Sequence, residues 1–129
     1  MKFGYTIIYV PDVRATLAFY GRAFGIDARF ITDEGDYAEL VTGETTLAFA
    51  SEALRDANGV AARENRRGAL APGFEIALVT DDVPAAMERA ARAGAEVVVE
   101  ATQKPWGQVV GYVRDLDGIL VEVCTPVGG

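Results

Sequence analysis

Apolar and polar residues follow two rhythms along this chain, and the same succession of rhythms occurs twice. Phe3–Val10 is an apolar run rich in β-branched and aromatic residues, which predicts a strand. Val13, Leu17, Tyr20 and Phe24 then recur at i, i+4, i+7 and i+11, the stripe of a helix with one buried side. Asp12 is placed to cap its start and Gly25 to stop it. Ala28–Thr32, Tyr37–Val41 and Thr45–Ala50 read as a three-stranded meander, turned at Asp33-Glu34-Gly35-Asp36 and Thr42-Gly43-Glu44. After residue 72 the plan restarts. A strand is predicted near Phe74–Thr80, then a helix from the cap Asp82 to about Ala93, stopped by Gly94. Strands follow near Glu96–Glu100, Val109–Arg114 and Ile119–Cys124, with Asp117-Gly118 as a hairpin turn signal. Each half reads β-α-β-β-β, an α+β fold of two βαβββ modules.

The halves also match residue against residue. Phe3–Val13 lies on Gly73–Val83 at a shift of 70, and Val13, Leu17 and Tyr20 fall on Val83, Met87 and Ala90. Two such copies predict a pseudo-two-fold body with a ligand cleft between them. The chain is expected to be one domain over 1–129, with modules at about 1–50 and 73–126. Segment 51–72 joins them. It carries Asn58-Gly59, Arg66-Arg67-Gly68 and Pro72, and a short helix near Ser51–Asn58 is expected inside it.

Alternation assigns faces. In Phe74–Val79 the apolar Phe74, Ile76 and Leu78 share one side, and Glu75 lies opposite. In Ile119–Cys124 the apolar Ile119, Val121 and Val123 share one side, and Glu122 lies opposite. Both carboxylates should therefore leave the core packed beneath the helix. The same rule sends Tyr5, Ile7 and Tyr9, and Thr46, Ala48 and Ala50, to that second face.

Composition narrows the chemistry. Half the residues are apolar, so the chain can bury a real core. The net charge of −7 disfavours nucleic acid or an anionic membrane as partner. No apolar stretch reaches ~18 residues, so no membrane span is expected. The N-terminus lacks the apolar core of a secretory signal. The single Cys124 fits a reducing, cytoplasmic setting. No histidine exists, which excludes a His base and every His metal ligand. Cys124 reads as a small packing residue, and Asp115 and Asp117 as residues of the turn.

Certain segments carry a resemblance: Tyr9-Val10-Pro11-Asp12-Val13 with Phe19-Tyr20, Asp81-Asp82-Val83 with Ala93-Gly94, Pro105-Trp106-Gly107, and Arg114-Asp115-Leu116-Asp117-Gly118-Ile119-Leu120-Val121-Glu122. With these the chain resembles the vicinal oxygen chelate superfamily of glyoxalases, bleomycin-resistance proteins and extradiol dioxygenases. The resemblance implies curled sheets around a cleft and a homodimer. It also implies four cleft positions that hold a metal in some members, here Tyr5, Ala48, Glu75 and Glu122. Ala48 has no donor atom, and the Tyr5 phenol is ordinarily neutral. Only Glu75 and Glu122 remain as ordinary ligands. No cofactor is therefore expected, beyond at most a weakly held, largely hydrated divalent ion such as magnesium on those two carboxylates.

The expected site is Tyr5, Ala48, Glu75, Trp106 and Glu122, with Tyr9 and Tyr112 as further aromatic walls. No catalytic residue is assigned. The favoured function is metal-free binding of a small, drug-like or cationic molecule in a dimer cleft, as in bleomycin-resistance proteins. The alternative is a lyase or isomerase using a partial metal site or the two carboxylates alone.

Overall fold

The computed structural model describes residues 1–128. Its elements are β1 (Tyr5–Val10), α1 (Val13–Phe24), β2 (Ala28–Ile31), β3 (Tyr37–Leu40), β4 (Thr46–Ser51), α2 (Glu52–Ala57), β5 (Glu75–Val79), α3 (Val83–Arg92), β6 (Glu96–Gln103), β7 (Val109–Arg114) and β8 (Leu120–Cys124). The predicted βαβββ succession is present twice. Each copy makes its own four-stranded open sheet, in the orders β1-β4-β3-β2 and β5-β8-β7-β6. In both, the first strand runs parallel to the last and the other neighbours are antiparallel. The chain divides into two compact units, Met1–Gly21 with Gly25–Glu64, and Arg22–Phe24 with the residues from Asn65 onward. No described helix is long and apolar enough to cross a membrane.

The two long helices start by the same device. Asp12 Oδ1 accepts from the Ala15 N–H at 3.1 Å, and Asp82 Oδ1 accepts from the Ala85 N–H at 3.1 Å. Gly25, at φ 68°, ends α1 in the left-handed region. The buried side of α3 is the one expected: Val83, Met87 and Ala90. That of α1 is rotated from its predicted stripe. Val13 and Tyr20 are buried, but so are Thr16, Phe19 and Ala23, while Leu17 and Phe24 are only half-buried. The buried side runs through Val13, Thr16, Phe19, Tyr20 and Ala23. The Tyr20 ring meets Phe49 of β4 at 5.0 Å between centroids. In the second unit Met87 packs onto β7, where Gly111 leaves it space. Phe74 departs from expectation. It lies just before β5 and is exposed, not in the core.

The turn between β7 and β8 is built on a buried carboxylate. Asp115 Oδ1 accepts from the N–H groups of both Asp117 and Ile119 at 2.9 Å, as the turn reading of these residues anticipates. Gly118 sits at φ +85°, and an added Cβ would lie 2.5 Å from the Arg66 carbonyl oxygen. Arg114 Nε donates to the Gly118 carbonyl at 2.9 Å, and Arg114 Nη2 reaches the Arg66 carbonyl at 3.4 Å. The connecting segment is thus pinned against this turn.

Gly118→Ala should destabilise the protein by roughly 2–4 kcal/mol, through left-handed backbone strain and overlap with a backbone oxygen. Gly111→Ala should cost less, roughly 1–2 kcal/mol, since its new methyl crowds the flexible side chain of the buried Met87 and no backbone atom. Urea denaturation of the two variants would check the order, and equal costs would contradict the packing described.

Candidate functional site

The helix-averted face of each sheet is organised in rows of residues paired across strands. In the second unit, Tyr112, Glu122 and Ala77 form one row, and Val110, Cys124 and Val79 form the next. Neighbours in such a row lie within side-chain reach. Tyr112 donates its hydroxyl to Glu122 Oε1 at 2.9 Å. Burial, then hydrogen bonding to Glu122 and the charge of Glu122, push the Tyr112 phenol up to about 12. It stays a proton donor at every physiological pH.

Glu75 opens β5 at the sheet edge and reaches Glu122. Slight burial, with a hydrogen bond to Glu122 and the charge of Glu122, holds the Glu75 carboxyl above its ordinary range, although the residue stays exposed. Two carboxylates this close favour sharing one proton. Cys124 completes the group. Burial, followed by its contact with Glu122, pushes its thiol up to about 11, so it is an inert packing thiol, as expected.

Trp106 joins the same unit through its indole. It stands 64% exposed in the turn between β6 and β7. Its Nε1 donates to Gln108 Oε1 at 2.9 Å, and Gln108 Nε2 donates to the Thr125 carbonyl at 2.8 Å. Gln108 also hydrogen-bonds Cys124, the one influence that lowers the thiol. A polar run therefore leads from Trp106 through Gln108 and Cys124 to Glu122. Gln108 has no counterpart in the sequence reading, because a lone buried amide leaves no periodic trace.

The first unit has a different arrangement. Tyr5 begins β1 and is 54% exposed, while Ala48 is fully buried between Ile7 and Glu39 in the register of β1, β4 and β3. Glu39 is the residue that sequence reasoning missed. It is buried beside Ala48, accepts from the Tyr37 hydroxyl at 2.9 Å, and lies 3.6 Å from Arg29. Burial and then Glu39 push the Tyr37 phenol up to about 12. The signal was available. Glu39 alternates with the buried Ala38 and Leu40, so it shares a face with Tyr37 and lies across from Ala48. Tyr9, expected as an aromatic wall, instead lies beneath Arg55 of α2, whose guanidinium carbon is 5.8 Å from the ring centroid.

Of the predicted set, the structure thus brings Glu75 and Glu122 together in the second unit, with Trp106 linked to them through Gln108. Tyr5 and Ala48 lie in the first unit. The four positions do not suit a tightly held metal. Tyr5 and Ala48 supply no ready donor, Glu122 already accepts from Tyr112, and no three His, Cys, Asp or Glu among the described residues form a ligand cluster.

The fold agrees with comparison to known proteins. The chain matches the model of the glyoxalase/bleomycin resistance protein/dioxygenase superfamily over residues 2–123. No curated protein sequence matches it at a significant level. Among solved structures it is similar to a glyoxalase-related enzyme from Fulvimarina pelagi, at 26% identity and a TM-score of 0.78, covering 97% of this chain and 88% of that one. A glyoxalase/bleomycin resistance protein/dioxygenase family enzyme from Burkholderia phytofirmans PsJN shares the fold at 17% identity and a TM-score of 0.74, covering 94% and 95%. A glyoxalase/bleomycin resistance protein/dioxygenase from Nocardioides does so at 21% identity and 0.69, covering 96% and 82%. The repeated module, the Asp-capped helices, the closing Asp-Gly hairpin and the match over nearly the whole length lead to one conclusion: the chain belongs to the glyoxalase/bleomycin resistance protein/dioxygenase superfamily.

Proposed function

We propose that this protein binds a small organic molecule bearing a cation or a hydrogen-bond donor, and that Glu75 and Glu122 receive it without a metal. The observation that carries this reading is the carboxylate pair itself. The Glu75 carboxyl is held above its ordinary range beside Glu122, and Tyr112 donates to one oxygen of Glu122. A cation bound between them would balance both carboxylates. Trp106, largely exposed and linked to the pair through Gln108, offers a planar surface for an aromatic body.

Benzamidinium is a suitable probe, with neutral toluamide as its control. Titration followed by the fluorescence of Trp106, the single tryptophan, should show saturable binding of the cation and little of the amide. Glu122→Gln should weaken binding about ten-fold or more, in line with loss of a charged hydrogen bond of about 1.5–3 kcal/mol. Equal affinity for probe and control would sink the reading.

The shared proton has its own signature in stability. An acid held above its usual 4.5 in the folded state carries no penalty at low pH, where both states are protonated. As pH rises through the folded value, the fold loses a proton that it retains better than the unfolded chain does. Glu75→Gln removes that titration. The variant should therefore gain stability relative to the wild type between pH 4 and pH 8, and the difference should level off once Glu75 is ionised. Melting curves across that range would show it, and a difference independent of pH would refute the shared proton.

A second reading is favoured by the same proton. A carboxyl held above its ordinary range beside a second carboxylate is suited to moving a proton on a substrate, as a lyase or isomerase requires. Small α-hydroxy ketones incubated in deuterated buffer should then take up deuterium beside the carbonyl with the wild type and not with Glu75→Gln. Uptake at the buffer rate in both would leave binding as the function.

A further inference from the structure

The most unusual polar group in the first unit is Arg55, which the functional reading above does not use. It lies in α2, a six-residue helix fixed at both ends. Ser51 Oγ accepts from the Leu54 N–H at 3.0 Å at its start, and the Val60 N–H donates back to the Arg55 carbonyl at 3.2 Å. The Arg55 side chain is only 9% exposed. Its Nε and Nη2 both donate to a single oxygen, Asp56 Oδ1, at 3.0 and 2.9 Å. Asp56 itself is 66% exposed, so that edge of the guanidinium faces the rim.

The opposite side is different. Nη1 is closed to solvent and has no hydrogen-bond acceptor among the described residues. Buried donors without acceptors are rare, and a charged one is costly to leave so. The guanidinium also lies over the Tyr9 ring. Tyr9 is paired across the sheet with Ala50, and Ala50 with Tyr37, on the face that also carries the exposed Ile7. An arginine so placed has one fork occupied by its own neighbour. The other, between Nη1 and Nη2, matches the geometry of a carboxylate.

We propose that Arg55 is the anchor of a second binding site, which takes a small monocarboxylate with an apolar body. The carboxylate engages the Nη1 side of the guanidinium, and the body lies along the Tyr9 and Ile7 side of the sheet. Because Nη1 is closed to solvent, the acceptor reaches it only when α2 lifts, so capture and movement of the connecting segment are coupled. The site concerns the first unit alone, and it stands or falls independently of Glu75 and Glu122.

Benzoate, benzamide and inorganic phosphate distinguish the possibilities by thermal shift and by isothermal titration on the intact protein. Benzoate should raise the melting temperature of the wild type, with benzamide and phosphate much less effective. Arg55→Met should weaken benzoate at least ten-fold, and Asp56→Asn, which removes a negative charge beside the guanidinium, should strengthen it. If Arg55→Met does not fold, Arg55→Lys keeps a charge but loses the fork, and it should lose most of the affinity. No benzoate effect on the wild type, or the same affinity in the Arg55 variant, would overturn the proposal. An equal response to phosphate would also overturn it, by showing charge alone to be recognised. Amide exchange at Asn58 to Val60 should speed up in the presence of benzoate, and unchanged exchange would rule out the coupled lifting of α2.

Discussion

Each four-stranded sheet has a single long helix to bury against, and a helix can cover only one of its faces. The rest of the structure depends on that constraint. Under α1 the sheet hides Ile8, Val10, Leu47 and Phe49. In the second unit Val113, Val121 and Val123 form the buried side. Strand alternation then sends every second residue to the other face. There the buried Ala48, Ala50, Val110 and Cys124 stand beside hydroxyls and carboxylates. The polar side chains among them are joined by hydrogen bonds. The Tyr112–Glu122 and Tyr37–Glu39 pairs are the outcome.

Those pairs also explain why the second unit is electrostatically unsettled. A phenol donating to a carboxylate satisfies one oxygen and adds no charge. In the first unit the nearby Arg29 balances Glu39. In the second, Glu122 has another carboxylate beside it, Glu75, whose carboxyl is held above its ordinary range. The two modules share a fold and a type of hydrogen bond, yet the acid of one has an arginine beside it and that of the other a second carboxylate. A scaffold that hosts many chemistries differs at this level, in single residues on one face of a sheet.

Much of this was legible in the sequence. Periodicity gave the elements in order, the Asp caps marked where both helices begin, and Asp117-Gly118 marked the last turn. Alternation placed Glu75 and Glu122 on the right face. What could not be read was lateral. The stripe of α1 runs through Thr16, Phe19 and Ala23 rather than Leu17 and Phe24, since two apolar stripes at helical spacing are available and contact with the sheet selects between them. Phe74 fell outside its strand because the sheet begins one residue later. Glu39 could have been found from alternation along its own strand, but Gln108 and Arg55 gain their meaning from residues on another strand or in the connecting segment, about which periodicity along one strand carries no information.

The relation between Ala48 and Glu39 has a consequence for how duplicated proteins are compared. Ala48 and Glu122 occupy matching places on the last strands of their modules, and by that measure the first module has lost its carboxylate. Along the cross-strand row the acid is still there, moved one strand over to Glu39 and held by a tyrosine at the same 2.9 Å as its counterpart. A template that scores sites by position along the chain would record a deletion here. One that scores them by ladder row would record a migration, and would find sites that the linear template discards.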